Sequence, residues 1–233
     1  MKIIMTKNYV ELSEKAAEIL ISEIKKKPNI VVGFATGKTP LKLYSLLAKS
    51  NLNFSKIKTF NLDELYPIKK SDKQSYDYYM HKNLFNKINI NPENINLLNG
   101  NFKNPGKECR EYEGKIRKNP IDVQILGLGV NGHIAFNEHG AEKTSKTRLV
   151  ELSKETIKIN KTKNTKALTM GISTILKAKK IILLASGKSK AEAIKHLIEG
   201  KEDENWPVSF LRGHKNLIVV IDKEAGSLLH QKL

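Results

Sequence analysis

Residues 122–140 read D-V-Q-I-L-G-L-G-V-N-G-H-I-A-F-N-E-H-G. The first part, Asp122–Leu128, is a short apolar run closed by glycine, the pattern of a buried strand. Gly127, Gly129 and Gly132 then spell G-x-G-x-x-G. That spacing binds dinucleotides when it opens a long helix in the first β-α unit. Here the continuation, His133-Ile-Ala-Phe-Asn137-Glu138-His139-Gly140, meets another glycine after barely two turns, and the stretch lies past the middle of the chain. The loop is therefore read for its side chains. Asn131, His133, Asn137, Glu138 and His139 crowd around Gly132 at a strand's carboxyl end. Histidine carries protons near neutral pH, and a nearby carboxylate orients it and tunes its pKa. Catalysis by His133 and Glu138 is one reading, and a hydrogen-bonded loop histidine is the other. Three ligands at metal-binding spacing are not evident, so no metal is expected.

Outward from this stretch, apolar runs alternate with helical patterns. Strands are predicted over Lys2–Met5, Ile30–Gly33, Lys56–Leu62, Ile95–Leu98, Asp122–Leu128, Lys180–Ala185 and Asn216–Ile221. Helices are predicted over Ser13–Lys26, Leu41–Ala48, Ser75–Phe85, Glu108–Arg117, Ala167–Lys177 and Lys188–Ile198, with Thr39 as N-cap and Pro40 as the first helical residue of the second. The order β-α-β-α predicts a single α/β domain, residues 1–233, with a mostly parallel central sheet and helices on both faces, Rossmann-like. Ligands in such sheets sit at the carboxyl ends of strands. The loops that matter are therefore Ala35–Pro40, Asp63–Tyr66 and Gly129–Gly140. Residues of about 140–170 are expected to form a mobile lid over them.

The first loop, Gly33-Phe-Ala-Thr-Gly37-Lys-Thr39, imitates a P-loop. A P-loop has four residues between its first glycine and Gly-Lys-Ser/Thr, and here there are three. A glycine turn before a helix still offers backbone N–H groups to an anion. Sugar phosphate is as good a candidate as nucleotide, and an ordinary strand-to-helix turn is the plain alternative. In the second loop, Asp63 and Glu64 end an apolar strand. Such acids cap a helix or turn, or one of them works as a general base beside the cleft.

Composition narrows the class. The chain has 233 residues, 39% of them hydrophobic, enough for a real core. Its single cysteine, Cys109, excludes a disulfide framework. The apolar run in Met1–Lys7 is far shorter than the roughly 7–15 residues of a signal-peptide core. No stretch approaches the roughly 20 apolar residues of a membrane helix. A soluble cytoplasmic protein with no membrane partner is the expectation. The net charge of +17 rests almost wholly on lysine, with four arginines: Arg110, Arg117, Arg148 and Arg212. Surfaces that read nucleic acid lean on the arginine fork, so a solvated lysine surface is expected and no nucleic-acid partner. The same field favours an anionic small molecule.

Together, Thr36-Gly37-Lys38-Thr39-Pro40, Phe60-Asn-Leu-Asp63-Glu64, Ser75-Tyr76 and Gly127-Leu-Gly129-Val-Asn131-Gly132-His133-Ile-Ala-Phe-Asn137-Glu138 resemble the glucosamine-6-phosphate deaminases. Asn94–Gly100, Ala167–Thr174 and Ser186–Lys190 extend the resemblance over nearly the whole chain. The run Phe136-Asn137-Glu138 separates these deaminases from the 6-phosphogluconolactonases, which share the fold. The resemblance implies conversion of glucosamine 6-phosphate and water to fructose 6-phosphate and ammonia in amino-sugar catabolism, without cofactor or metal. The resemblance is also taken to place the enzyme among the hydrolases. His133 would open the sugar ring with Glu138 as its carboxylate partner, and Asp63 would move a proton from C2 to C1. Thr36, Gly37, Lys38, Thr39 and Lys190 would bind the phosphate.

Departures from the family are also visible. Asn131 stands where many members have aspartate, so it orients His133 without carrying charge. Lys38 replaces serine or glycine. A phosphate-binding arginine falls on Thr162, which leaves Lys161 and Lys163 as candidate replacements and predicts weaker phosphate binding. Arg148 matches a regulatory position, while its accompanying lysine falls on Val150. The partner implied is an amino-sugar phosphate, and the assembly a monomer or homo-oligomer. A sensor that has lost catalysis, or a 6-phosphogluconolactonase-type hydrolase, is the alternative.

Overall fold

In strand Lys180–Ala185, Ile181 and Leu183 lie in one hydrophobic core and Ile182 and Leu184 in another, all four fully buried. A strand covered on both faces reads as an unbroken apolar run because each face needs its own alternate residues. The computed structural model describes residues 1–230. Within them the strands are β1 (Lys2–Thr6), β2 (Val31–Phe34), β3 (Lys58–Asn61), β4 (Asp63–Tyr66), β5 (Ile95–Asn96), β6 (Val123–Gly127), β7 (Arg148–Glu151), β8 (Lys166–Thr169), β9 (Lys180–Ala185) and β10 (Leu217–Asp222). Seven of them form one parallel sheet in the order β1-β10-β9-β6-β2-β3-β5. The other three form an antiparallel sheet in the order β4-β8-β7.

The helices are α1 (Tyr9–Lys26), α2 (Leu41–Ala48), α3 (Tyr76–Asn83), α4 (Pro105–Lys118), α5 (Lys154–Asn160), α6 (Ile172–Ile175) and α7 (Ala191–Ile198). Leu12, Ala16, Leu20 and Ile24 recur every four residues on α1 and bury that stripe against Val32, Ile125 and Leu184. Asn8 starts the helix by accepting from the N–H groups of Val10 and Glu11. On the opposite face, Tyr112 and Ile116 of α4, Ile175 of α6 and Leu197 of α7 share a core with Phe60, Leu126 and Leu183. Helices therefore cover both faces of the parallel sheet.

The strand order reverses between β2 and β6. From β2 the chain builds outward to β3 and β5, then returns to place β6 on the other side of β2. A crevice opens at the carboxyl ends of two such strands because their exits diverge. The turn after β2 and the loop after β6 face each other across it.

Several boundaries differ from the sequence reading. Asp63–Tyr66 is strand β4, not a loop. Ala167–Lys177 is not one helix: Lys166–Thr169 pairs with β4 and β7, and only Ile172–Ile175 is helical. Gly171 divides them, and a Cβ there would stand 2.3 Å from the Ser145 carbonyl oxygen. Pro40, not Thr39, holds the N-cap position of α2, whose first helical residue is Leu41. The region expected as a lid, about 140–170, contains β7, α5 and β8.

Candidate active site

A cleft of about 460 Å³ lies over the strand reversal. Thr36, Gly37, Lys38, Thr39, Asp63, Gly129, His133 and Lys190 line it, and Thr156, Ile159 and Asn160 of α5 close one side. Gly37 has φ +99°, a backbone conformation open to glycine. Among the described residues, no hydrogen bond is made by the N–H groups of Thr36, Gly37, Lys38 or Thr39. Four donors beside the start of α2 are thus available to an anion.

Asp63 and Glu64 are chain neighbours with opposite surroundings. Glu64 accepts from the N–H groups of Leu65, Tyr76 and Asp77 at 2.8, 2.8 and 2.9 Å. It thereby caps the start of α3. Asp63 is buried, and its Oδ1 has no hydrogen-bond partner. Burial, with the adjacent Glu64 charge, pushes its carboxyl up to about 8. Burial also raises Glu64, to about 7, against the pull of its three N–H partners. Of the two readings of this acidic pair, capping falls to Glu64, and the unpartnered carboxyl in the cleft is Asp63.

In the loop after β6, Asn131 Oδ1 lies 2.6 Å from His133 Nδ1 and 3.4 Å from the His133 backbone nitrogen. An atom receiving the backbone N–H is the amide oxygen, so Nδ1 also donates to it. The ring is then the Nδ1–H tautomer, and Nε2 keeps its lone pair. Burial lowers the imidazole to about 4, Lys190 adding to this and Glu138 opposing it. His133 is neutral at working pH. Its ring lies on Gly129, where a Cβ would come within 2.4 Å of it. The glycine spacing that imitates a dinucleotide fingerprint makes room for this ring.

Glu138 Oε2 accepts from Ser153 N–H at 3.1 Å, while its Oε1 is buried without a partner. The structure makes no hydrogen bond between Glu138 and His133; Glu138 and Asn131 line a neighbouring cavity with Trp206. Burial lowers the Lys190 ammonium, which lines the main cleft together with Lys38. Lys190 follows the loop after β9, which Asp222 ties down by accepting from Ser186 Oγ and the Gly187 N–H. Asp222 lies 32 residues beyond Lys190, and nothing in its local sequence signals this role.

Lys161 and Lys163 do not line the cleft. Lys161 is the left-handed C-cap of α5, and both lysines are exposed. Thr162, at the arginine position, is buried and bonded to Asn164. The turn at the end of α5 leaves both lysines exposed and outside the cleft lining. Arg148 donates to Asn137 Oδ1 at 2.9 Å, and Asn137 in turn donates to the carbonyls of Ile134 and Met170. Here Arg148 braces the His133 loop from behind. Among the described residues, no group of three or more His, Cys, Asp or Glu is placed to hold a metal ion.

An α/β sheet whose reversal gathers free N–H donors, a buried carboxyl and a histidine in one cleft has the make-up of a small-molecule enzyme. Residues 7–219 match the family model of glucosamine-6-phosphate isomerases/6-phosphogluconolactonase, and the chain belongs to that family. It is 49% identical over 241 residues to a glucosamine-6-phosphate deaminase of Clostridium novyi (strain NT), covering 98% of this chain and 100% of that one. It is 48% identical over 241 residues to the deaminase of Thermoanaerobacter pseudethanolicus (strain ATCC 33223 / 39E), covering 98% and 95%. The solved structure of a monomeric glucosamine-6-phosphate deaminase superposes with a TM-score of 0.95 at 42% identity, covering 98% and 100%. A 6-phosphogluconolactonase from Trypanosoma cruzi has a TM-score of 0.83 at 23% identity and shares the fold. The expected place among the hydrolases is corrected by the three relatives of 42–49% identity, which are glucosamine-6-phosphate deaminases. No helix among the described residues is long and apolar enough to cross a membrane.

Proposed function

We propose that this chain is an isomerising deaminase that converts glucosamine 6-phosphate and water to fructose 6-phosphate and ammonia. The observation that carries the reading is the unpartnered, buried carboxyl of Asp63, in one cleft with neutral His133 and the N–H groups of Thr36–Thr39. The phosphate rests on that turn and on Lys190. His133 Nε2 takes the proton of the anomeric hydroxyl and returns a proton to the ring oxygen, which opens the ring. Asn131 holds the tautomer that leaves Nε2 free to do this, and Glu138 provides the negative field that favours the transient imidazolium.

Asp63 then removes the C2 proton. In the free enzyme its raised pKa keeps it largely protonated at neutral pH. The substrate's C2 ammonium, seated beside it, favours the carboxylate, so the base forms where it is needed. The resulting enolamine takes the proton back at C1, and the C2 imine adds water and releases ammonia. Residues of about 140–170, which carry α5 over the cleft, serve as the lid that excludes bulk water. The protein acts in the cytoplasm as a monomer, as its similarity to the monomeric deaminase supports.

The test is to supply purified protein with glucosamine 6-phosphate and measure ammonia and fructose 6-phosphate together. Equal amounts of both are expected. Binding of the sugar with no ammonia would overturn the reading.

A further inference from the structure

Four carbonyl groups of the anion-facing turn are held by three tyrosines from three helices. Tyr44 of α2 donates to the Ala35 carbonyl. Tyr79 of α3 donates to the Gly37 carbonyl at 2.5 Å. Tyr9, the first residue of α1, shares its proton between the carbonyls of Lys38 and Thr39 at 3.2 and 3.1 Å, and accepts from the Lys42 N–H at 3.2 Å. In a planar trans peptide the C=O of one residue and the N–H of the next point opposite ways. Fixing the carbonyls of Ala35, Gly37 and Lys38 on the tyrosines therefore fixes the N–H groups of Thr36, Lys38 and Thr39 on the other side. These are among the free donors of the cleft. The peptide after Thr39 has no N–H, because Pro40 follows.

Without such pins the turn has freedom to rotate. Gly37 sits at φ +99°, and a Cβ there would meet nothing within 4 Å. A rotated peptide would aim a carbonyl dipole at the anion and cost the interaction it now provides.

We infer that the hydroxyls of Tyr9, Tyr44 and Tyr79 are positioning groups that set the phosphate affinity of this cleft by holding the carbonyls of Ala35, Gly37, Lys38 and Thr39 away from it. The inference rests on the reading of that turn as the phosphate site. Burial raises the hydroxyls of Tyr44 and Tyr79 well above the ordinary tyrosine value, so they stay protonated donors throughout the working range. They add no negative charge beside the phosphate. The tyrosines lie 9 to 42 residues from the carbonyls they hold, so no local motif records them.

The experiment measures inorganic phosphate binding by titration calorimetry for the wild type, Tyr9→Phe, Tyr79→Phe and the double variant. Each change removes one oxygen from a partly exposed side chain, and circular dichroism checks the fold. Each hydroxyl is expected to weaken phosphate binding by about threefold to tenfold, with the two losses multiplying. KM for glucosamine 6-phosphate should rise in parallel while kcat stays within about twofold, and turnover of unphosphorylated glucosamine should not respond. Phosphate affinity in both single variants and the double within twofold of the wild type overturns the inference, as does a wild type that binds no phosphate. Equal losses with the phosphorylated and unphosphorylated sugars would also overturn it, as damage to the cleft at large. A wild type that binds phosphate, loses it in the variants and yet releases no ammonia would leave the tyrosine role standing and remove the deaminase reading.

Discussion

The turn after β2 and the loop after β6 flank one cleft and work by opposite means. The turn presents its backbone: the carbonyls of Ala35, Gly37, Lys38 and Thr39 are occupied by tyrosines, and its N–H groups are left without partners among the described residues. The loop presents a side chain: Asn131 fixes one nitrogen of His133 so that the other stays open. A backbone array offers fixed partial charge and suits a group that does not change during the reaction. An imidazole or carboxyl changes protonation and suits the reacting atoms. Substitutions in the turn should therefore appear in KM, and substitutions around the loop and Asp63 in kcat.

The largest effect is expected at Asp63. Asp63→Asn should lower kcat by about a thousandfold or more, with substrate binding within severalfold. The same change should stabilise the protein. A carboxyl raised in the fold from 3.8 to about 8 holds a proton that the unfolded chain has released. Its contribution is least harmful below about pH 4, and stability is lost as pH rises from there to about 8. Removing it should raise Tm by several degrees at pH 8, with a gain that shrinks toward pH 4. Thermal melts of the two proteins across that range are the check, and a gain that does not depend on pH would break the assignment. In turnover, kcat/KM of the wild type should climb as pH approaches 8, because the free enzyme must ionise Asp63. His133, lowered to about 4, adds no limb above pH 5.

His133→Gln comes next. The amide keeps a polar group in place but has no basic nitrogen, and kcat should fall by about a hundredfold with KM little changed. If KM rose tenfold with kcat intact, His133 would belong with the binding turn and the contrast between the two regions would fail.

Much of this arrangement was legible in the residues, and the illegible part has a physical cause. Buried parallel strands announce themselves, as in Ile181–Ala185, because both faces need apolar side chains. The G-x-G spacing, read only as an imitation of a dinucleotide fingerprint, carries a close approach that the residues did not announce: the His133 ring on Gly129. Ala167–Lys177 misled because Leu168, Ile172 and Ile175 also fit a helical spacing; pairing with β4 and β7 overrode it. The local residue pattern does not tell Asp63 from Glu64; only the resemblance to the deaminases singles out Asp63. Their difference comes from Tyr76 and Asp77, whose N–H groups reach Glu64 alone. The tyrosines of the turn and Asp222 act across distances that no local pattern carries.

Gly37→Ala tests the turn directly. Space is open around it, so the effect is conformational: φ +99° is costly for an L side chain, and the peptide would shift. KM and the inorganic phosphate dissociation constant should rise together by about tenfold, with kcat within about twofold. A fall in kcat alone would mean that the turn takes part in the chemistry.

The smallest effect is expected from Asn131→Asp, and it separates orientation from charge. The new carboxylate would still accept the Nδ1–H of His133, so tautomer and ring position are kept. Its negative charge would now stabilise the imidazolium, raising the His133 pKa from about 4 by roughly one to three units. A protonated Nε2 cannot take the anomeric proton, so activity below about pH 6 should drop in the variant while activity near pH 8 changes by less than about tenfold. Titration of the His133 ring proton signals by NMR reads the shift directly. An acid limb that does not move, with the ring pKa unchanged, would mean that the Asn131 contact seen here is absent in solution. An acid limb that moves together with a large loss at pH 8 would mean that an uncharged partner is itself required, and that the amide is a working part of the loop and more than a support.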